Sequence, residues 1–165
     1  MLLTVFLAIV FCAAITLMLL SAVAFVQKKK FFSSAPKEAQ AVIQPREKEL
    51  FYGARVMGWT LMGFSILMIL GVGVVSIWDG FRSGFTFSQF FLRFVSIFTI
   101  YKIYDMICFD YFLLLKFKFF QHYYPEVERV CEGRKYGFNI KSQLLKLLVI
   151  FPAASALAAW ICSLL

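Results

Sequence analysis

Apolar residues in this chain come in long unbroken runs. They show neither the alternation of a half-buried strand nor the one-sided stripe of a soluble helix. Residues 2–26 and 56–77 contain no charged residue, and 144–165 contain only Lys146. A run of about 20 such residues, wound as a helix, matches the ~30 Å hydrocarbon core of a bilayer. A fourth run, 87–115, is as long but carries Arg93, Lys102, Asp105 and Asp110. The pattern predicts an all-α polytopic membrane protein, with four transmembrane helices in an antiparallel bundle and a single membrane domain over residues 1–165. The spans fall at 2–26, 56–77, 87–115 and 144–165, with long loops at 27–55 and 116–143.

The flanks of each run refine this picture. Lys28, Lys29 and Lys30 follow the first run rather than precede it, and the run is too long for a secretory leader. An uncleaved first span is the reading. Its Ala8, Cys12, Ala13 and Ala14 form a small-residue patch where another helix can approach. Phe31 and Phe32 suit the headgroup level, and Pro36 and Pro45 can each open a short helix at its first position. With the mixed charge of Arg46, Glu47, Lys48 and Glu49, the first long loop reads as a solvated connector. Trp59 and Trp78 suit opposite interfaces of the second span, whose Gly58, Gly63, Gly71 and Gly73 allow close helix contact. The link 78–84 is short, so the second and third spans are neighbours. Asn139 is a fair N-cap for the last helix, in which Pro152 should kink or loosen the backbone. Ala154 with Ala158, and Ser155 with Ala159, have the small-xxx-small spacing of a helix that touches protein.

Composition excludes a soluble domain. Hydrophobic residues make up 62% of the chain and charged ones 16%, against roughly 25% charged in an average globular domain. The net charge of +8 would suggest nucleic acid in a soluble protein, but here the basic residues gather in the two long loops, while the short link holds only Arg82. Positive loops stay in the cytoplasm. Both termini therefore face outward, no nucleic acid is expected, and the partner is the lipid bilayer, with anionic headgroups at Lys28, Lys29 and Lys30. Cys12, Cys108, Cys131 and Cys162 form no CxxC pair, so neither a metal site nor a disulfide framework is expected, and no cofactor is implied.

The third span concentrates the chemistry. A charge at the bilayer centre costs about 2.5–3.5 kcal/mol on insertion scales, so each of the four needs a partner or water. Lys102 and Asp105 are three apart and pair on one helix face. In an α-helix Asp105 and Asp110 are about 140° apart and point to different faces. Arg93 lies toward the outer interface and can snorkel, and Lys116 or Lys118 can reach Asp110. Tyr101 and Tyr104 add hydroxyls. Near mid-membrane the other three spans offer only hydroxyls such as Thr16, Ser65 and Ser76, Lys146 lying just inside the last, so the complement to Asp105 must come from Lys102, water, a second copy or another protein.

Outside this span, His122 and Glu126 are the loop candidates, but Pro125 breaks the helical i, i+4 relation between them. A histidine beside interfacial aromatics is the simpler reading. Cys162-Ser163-Leu164-Leu165 fits the prenylation pattern only formally, since its cysteine lies inside an apolar span. No nucleophile elbow, phosphate loop or zinc-protease motif occurs. Tyr104-Asp105 through Phe109-Asp110-Tyr111, followed by Lys116, Lys118 and Pro125-Glu126, resembles small uncharacterised bacterial membrane proteins with a D-x4-D signature late in one span. The resemblance covers roughly the last 65 residues and implies a bacterial plasma membrane but no activity.

These residues point first to an accessory or interaction protein that docks through the third and fourth spans onto a second copy or another membrane protein. The alternative is a small proton- or ion-coupled transporter or channel component using Lys102, Asp105 and Asp110. A lipid-modifying enzyme, limited to Asp105, Asp110, His122 and Glu126, is third.

Overall fold

The computed structural model describes residues 1–28, 37–44, 49–131 and 140–164. The expectations for Lys29, Lys30, Phe31, Phe32, Pro36, Pro45 and Asn139 lie outside them. No strand occurs among the described residues. Helix α1, Leu2–Ser21, widens into a π-helical turn, Ala22–Val26. A short α2, Lys37–Val42, precedes α3, Ala54–Arg82. Helix α4, Phe87–Tyr104, continues as a π-helix over Asp105–Lys116. Helix α5, Phe119–Tyr123, a 3₁₀ turn, Pro125–Val127, and α6, Glu128–Cys131, follow. The last stretch is α7, Ile140–Leu145, a π turn, Lys146–Ile150, and α8, Phe151–Leu164.

Three helical stretches are long and apolar enough to cross a membrane: Leu2–Val26, Ala54–Arg82 and Ser142–Leu164. The stretch formed by α4 and its π extension is as long but is not among them, because polar residues interrupt it.

Contacting residues show how the helices run. Ala22 and Val26 of α1 pack with Met62 of α3, and Leu7 and Ala8 with Val72, so α1 and α3 run in opposite directions. Helices α3 and α4 also oppose each other, with the Phe81 and Phe90 rings 5.5 Å apart across their link. Helix α8 opposes α4: Phe90 and Phe94 share a cluster with Ala159 and Cys162, and Phe98 stacks on Phe151 at 5.4 Å. Helices α1 and α4 run the same way, with Phe11 edge-on to Phe98 at 6.1 Å and to Tyr101 at 5.2 Å. The least apolar long helix therefore touches all three apolar ones.

Two glycines permit close approach. A Cβ on Gly58 would stand 2.8 Å from Phe25 Cβ and Val26 Cγ2, and one on Gly80 would stand 2.2 Å from the Phe90 ring. Gly63, Gly71 and Gly73 meet nothing within 4 Å, so of the four glycines read from the second span only Gly58 makes a helix contact. In α8, Ser155, Ala159 and Cys162 are buried against the rest of the chain, while Ala154 faces outward. Pro152 has the expected effect. It has no N–H to give to the preceding turn, and the backbone just before it relaxes to i→i−5 bonding, with Phe151 N–H on the Lys146 carbonyl.

The end bearing the long loops is capped rather than open. Val23, Ile43, Leu114, Tyr124 and Val127 form one buried apolar cluster, and Tyr124 is wholly buried. The first loop is thus more than a solvated connector: Ile43 packs under the 3₁₀ turn, and Gln44 N–H donates to Glu126 Oε1 at 3.2 Å. Gln27 and Lys118, both left-handed at φ 52° and 49°, end α1 and the π extension of α4 in the same region. Lys118 Nζ lies 2.7 Å from Glu128 Oε1 and holds that carboxyl below its usual range. A depressed carboxyl stabilises above its unfolded value, so this exposed contribution is present at neutral pH and fades as pH falls through the folded value. Salt screens it as well.

The glycine contacts set an expectation. Gly80→Ala, and likewise Gly58→Ala, overpacks a filled contact and should lower stability by about 1–3 kcal/mol. Gly71→Ala, which meets open space in a helix interior, should be neutral or stabilise by up to about 1 kcal/mol. Thermal unfolding in mild detergent compares them, and equal midpoints for Gly80→Ala and Gly71→Ala would contradict the packing described.

Candidate functional site

The charges of α4 fall into two groups at different levels. Near the short link to α3, Arg93 is only 5% exposed. One guanidinium nitrogen lies 2.7 Å from Asp79 Oδ2 and another donates to the Ser76 carbonyl at 3.0 Å. The Phe85 ring lies under the group at 4.2 Å. Arg93 therefore turns inward to α3 rather than snorkelling outward. The reason is geometric: Asp79 and Arg93 flank a link so short that they face each other at one level. Pairing the buried guanidinium with this partly exposed carboxylate avoids the large cost of an isolated charge.

The second group lies in the half of α4 nearer the long loops. Lys102 is 3% exposed and forms the expected ion pair with Asp105. Asp110 behaves differently from expectation. Neither Lys116 nor Lys118 serves it, since Lys116 lies over the Phe112 ring at 5.7 Å and Lys118 is with Glu128. Gln143 of α7 instead donates its amide to Asp110 Oδ2 at 3.0 Å. Lys146 opens the π turn three residues further on.

The separation of the two carboxylates is also corrected. The 140° between Asp105 and Asp110 assumes α-helical geometry, whereas Asp105–Lys116 is π-helical. A π-helix bonds residue i to i+5, which brings residues five apart to nearly the same side. Asp105, Asp110, Lys102 and Gln143 thus form a polar quartet joined by one ion pair and one hydrogen bond. Within it Asp105 has a cation in contact, and Asp110 has a neutral amide. The amide oxygen of Gln143 is buried with no partner among the described residues.

Beside the quartet, the two tyrosines join α4 to its neighbours. Tyr101 packs edge-on against Phe11 and tilts against Phe151 at 6.3 Å. Tyr104 OH lies 2.9 Å from Thr16 Oγ1, and Thr16 gives its own hydrogen to the Cys12 carbonyl at 2.8 Å. A hydroxyl has one proton to give, so Tyr104 is the donor to Thr16. The chain ends on a carbonyl, which makes it a brace between α1 and α4 rather than a proton route.

The remaining candidates are not brought together. His122 is exposed, edge-on to Tyr123 at 5.0 Å, and Glu126 accepts from Gln44. Among the described residues no group of three histidine, cysteine, aspartate or glutamate side chains is placed to hold a metal. Ser155 and Ala159 serve the contact with α4, whereas Ala158 lies at its edge and Ala154 points away. Sequence reasoning missed Gln143 and Asp79 as partners. Both stand at span ends on helices that oppose α4, so counting residues back from the short link and from the last loop would have placed them level with Asp110 and Arg93. Comparison with known protein families, with curated proteins and with solved structures finds no match to this chain.

The Thr16–Tyr104 brace is testable by a double-mutant cycle on Thr16→Val and Tyr104→Phe. Hydrogen bonds between membrane helices couple by about 0.6 kcal/mol on average and at most about 1.7, and a value in that range is expected from unfolding in detergent. Strict additivity of the two substitutions would contradict the bond.

Proposed function

We propose that this chain is a four-span integral membrane protein in which the Asp105–Asp110 pair handles protons or small cations. Several features support the membrane arrangement. Trp59 and Trp78 lie 19 residues apart on α3, about 28 Å at 1.5 Å per residue, close to the thickness of the hydrocarbon core. Each has a cation over its ring, Lys28 at 5.2 Å and Arg82 at 5.4 Å, as suits residues at the two interfaces. Helix α4 runs parallel to α1 and beside α3 and α8, which favours its being the remaining span of an antiparallel bundle. The basic long-loop end belongs in the cytoplasm and both termini outside. A bacterial plasma membrane fits the D-x4-D resemblance.

The observation that carries the functional reading is the state of Asp110. Its contact partner is a neutral amide, although it lies partly buried on a span beside a second carboxylate. A carboxylate in that setting is costly as a bare anion and is the default candidate for ion or proton traffic. Asp105, held by Lys102, supplies the second position, and Gln143 can donate to the anion or accept from the acid. The α4 charges find partners within the chain, which favours this reading over docking through them. Docking keeps one point of support, the outward Ala154 with Leu157 and Trp160 on α8.

Reconstitution in liposomes under proton, sodium or potassium gradients tests the proposal. Flux is expected from the wild type, with Asp110→Asn reduced to the level of empty vesicles and Asp105→Asn also impaired. A wild type that passes none of these ions under either polarity removes the reading. In that case a stoichiometric partner in mild detergent, lost in Ala154→Leu, would favour docking.

A further inference from the structure

We infer that α4 does not enter the membrane by itself, and that α3 and α4 insert as one hairpin held by the Asp79–Arg93 pair. The inference rests on α4 being a span, as proposed above, and not on any transport activity. Its starting point is a mismatch. Leu2–Val26, Ala54–Arg82 and Ser142–Leu164 have the apolar length to cross a bilayer alone, whereas α4 falls short. Arginine is among the costliest residues a span can carry, though less so toward an interface, and Arg93, level with Asp79 beside Trp78, is buried instead of reaching out to headgroup water.

The compensation comes from α3 and from the link itself. Asp79 supplies the countercharge, the Ser76 carbonyl takes a second guanidinium hydrogen, and Phe85 covers the group. The remaining nitrogen, Nε, has no partner among the described residues, so α3 supplies the polar contacts recorded for this arginine. Ser76 spends its own hydroxyl on the Val72 carbonyl, leaving its backbone oxygen to Arg93.

The link is built to bring the two helices together early. Phe85 N–H bonds the Gly80 carbonyl and Gly84 N–H the Phe81 carbonyl, with Gly84 at φ 63°. That is the Schellman stop of α3, with glycine at the left-handed position. Thr86 and Gln89 then start α4 with a capping box, in which Thr86 N–H donates to Gln89 Oε1 at 2.8 Å. Across the link Phe90 fits onto the face left open by Gly80. All these contacts are local in sequence and exist before α8 is made. They convert a marginal span carrying a bare cation into half of a hairpin in which that cation is paired.

The test reads topology in the full-length chain. A glycosylation acceptor is placed in the loop 116–143 and the protein is translated into microsomes, where the site is modified only when α4 fails to cross. The wild type should remain unmodified. Asp79→Leu should raise the ratio of failed to inserted chains about tenfold, equivalent to ~1.4 kcal/mol. The double variant Asp79→Leu/Arg93→Leu and the exchange Asp79→Arg/Arg93→Asp should both restore insertion. Asp79→Leu inserting as well as the wild type overturns the inference. So does an exchange variant that fails as badly as Asp79→Leu, since a pair is defined by its reversal. Modification of the wild type would overturn both this inference and the four-span arrangement. The expected pattern in a protein that shows no ion flux would leave the hairpin standing and remove only the transport reading.

Discussion

A guanidinium withdrawn from water has to find a carboxylate, and Arg93 finds Asp79 across a link of a few residues. Much of the packing follows from that need. The pair fixes α3 against α4 at one level, and Gly80 lets Phe90 close the contact beneath it. With α4 anchored there, its phenylalanines at 90 and 94 meet the small residues of α8, and Phe98 reaches Phe151. The neighbouring face meets α1 through Phe11, Tyr101, Tyr104 and Thr16. A helix too polar to face lipid on every side packs its polar and aromatic faces against three that are apolar enough to do so.

The other half of α4 meets the same constraint by different means. Lys102 and Asp105 neutralise each other within the helix, while Asp110 draws on the start of the last helical stretch. Non-standard helix lies at or next to both sides of that contact, Gln143 itself belonging to α7. Asp110 is in a π-helical run, and Lys146–Ile150 is a π turn that precedes Pro152. Widened helix is uncommon and frequently accompanies functional sites. Here it turns toward one side two carboxylates that an α-helix would separate. The chemistry of this half thus depends on backbone geometry as much as on residue type.

Much of the architecture was legible in the residues. Uncharged runs of membrane length predict helices because a bilayer leaves the backbone no water to bond with, and three of them have the apolarity to cross. The Lys102–Asp105 pair follows from a spacing of three, and the loosened turn before Pro152 from proline chemistry. The partners of Arg93 and Asp110 were harder to see. Each comes from a different helix, whereas the sequence points Arg93 to the interface and Asp110 to nearby lysines, because sequence neighbours are visible while cross-helix levels are not. The packed cap of Ile43, Tyr124 and Val127 was missed for the same reason: Ile43 lies more than 80 residues from the other two, in a chain region whose charge suggests solvent.

By itself the sequence determined the helical class, the membrane-length runs and the concentration of charge in one helix. These depend on composition and local periodicity, which need no knowledge of neighbours. Tertiary structure alone decided which side chains answer those charges, which glycines are contacts and which are merely glycine, and on which side of α4 its two carboxylates stand. Those outcomes depend on helix levels, and on a change from i→i+4 to i→i+5 bonding that no residue pattern announces. Their physical reason is the low dielectric between the helices, where each charge settles against whatever partner the packing brings to its level.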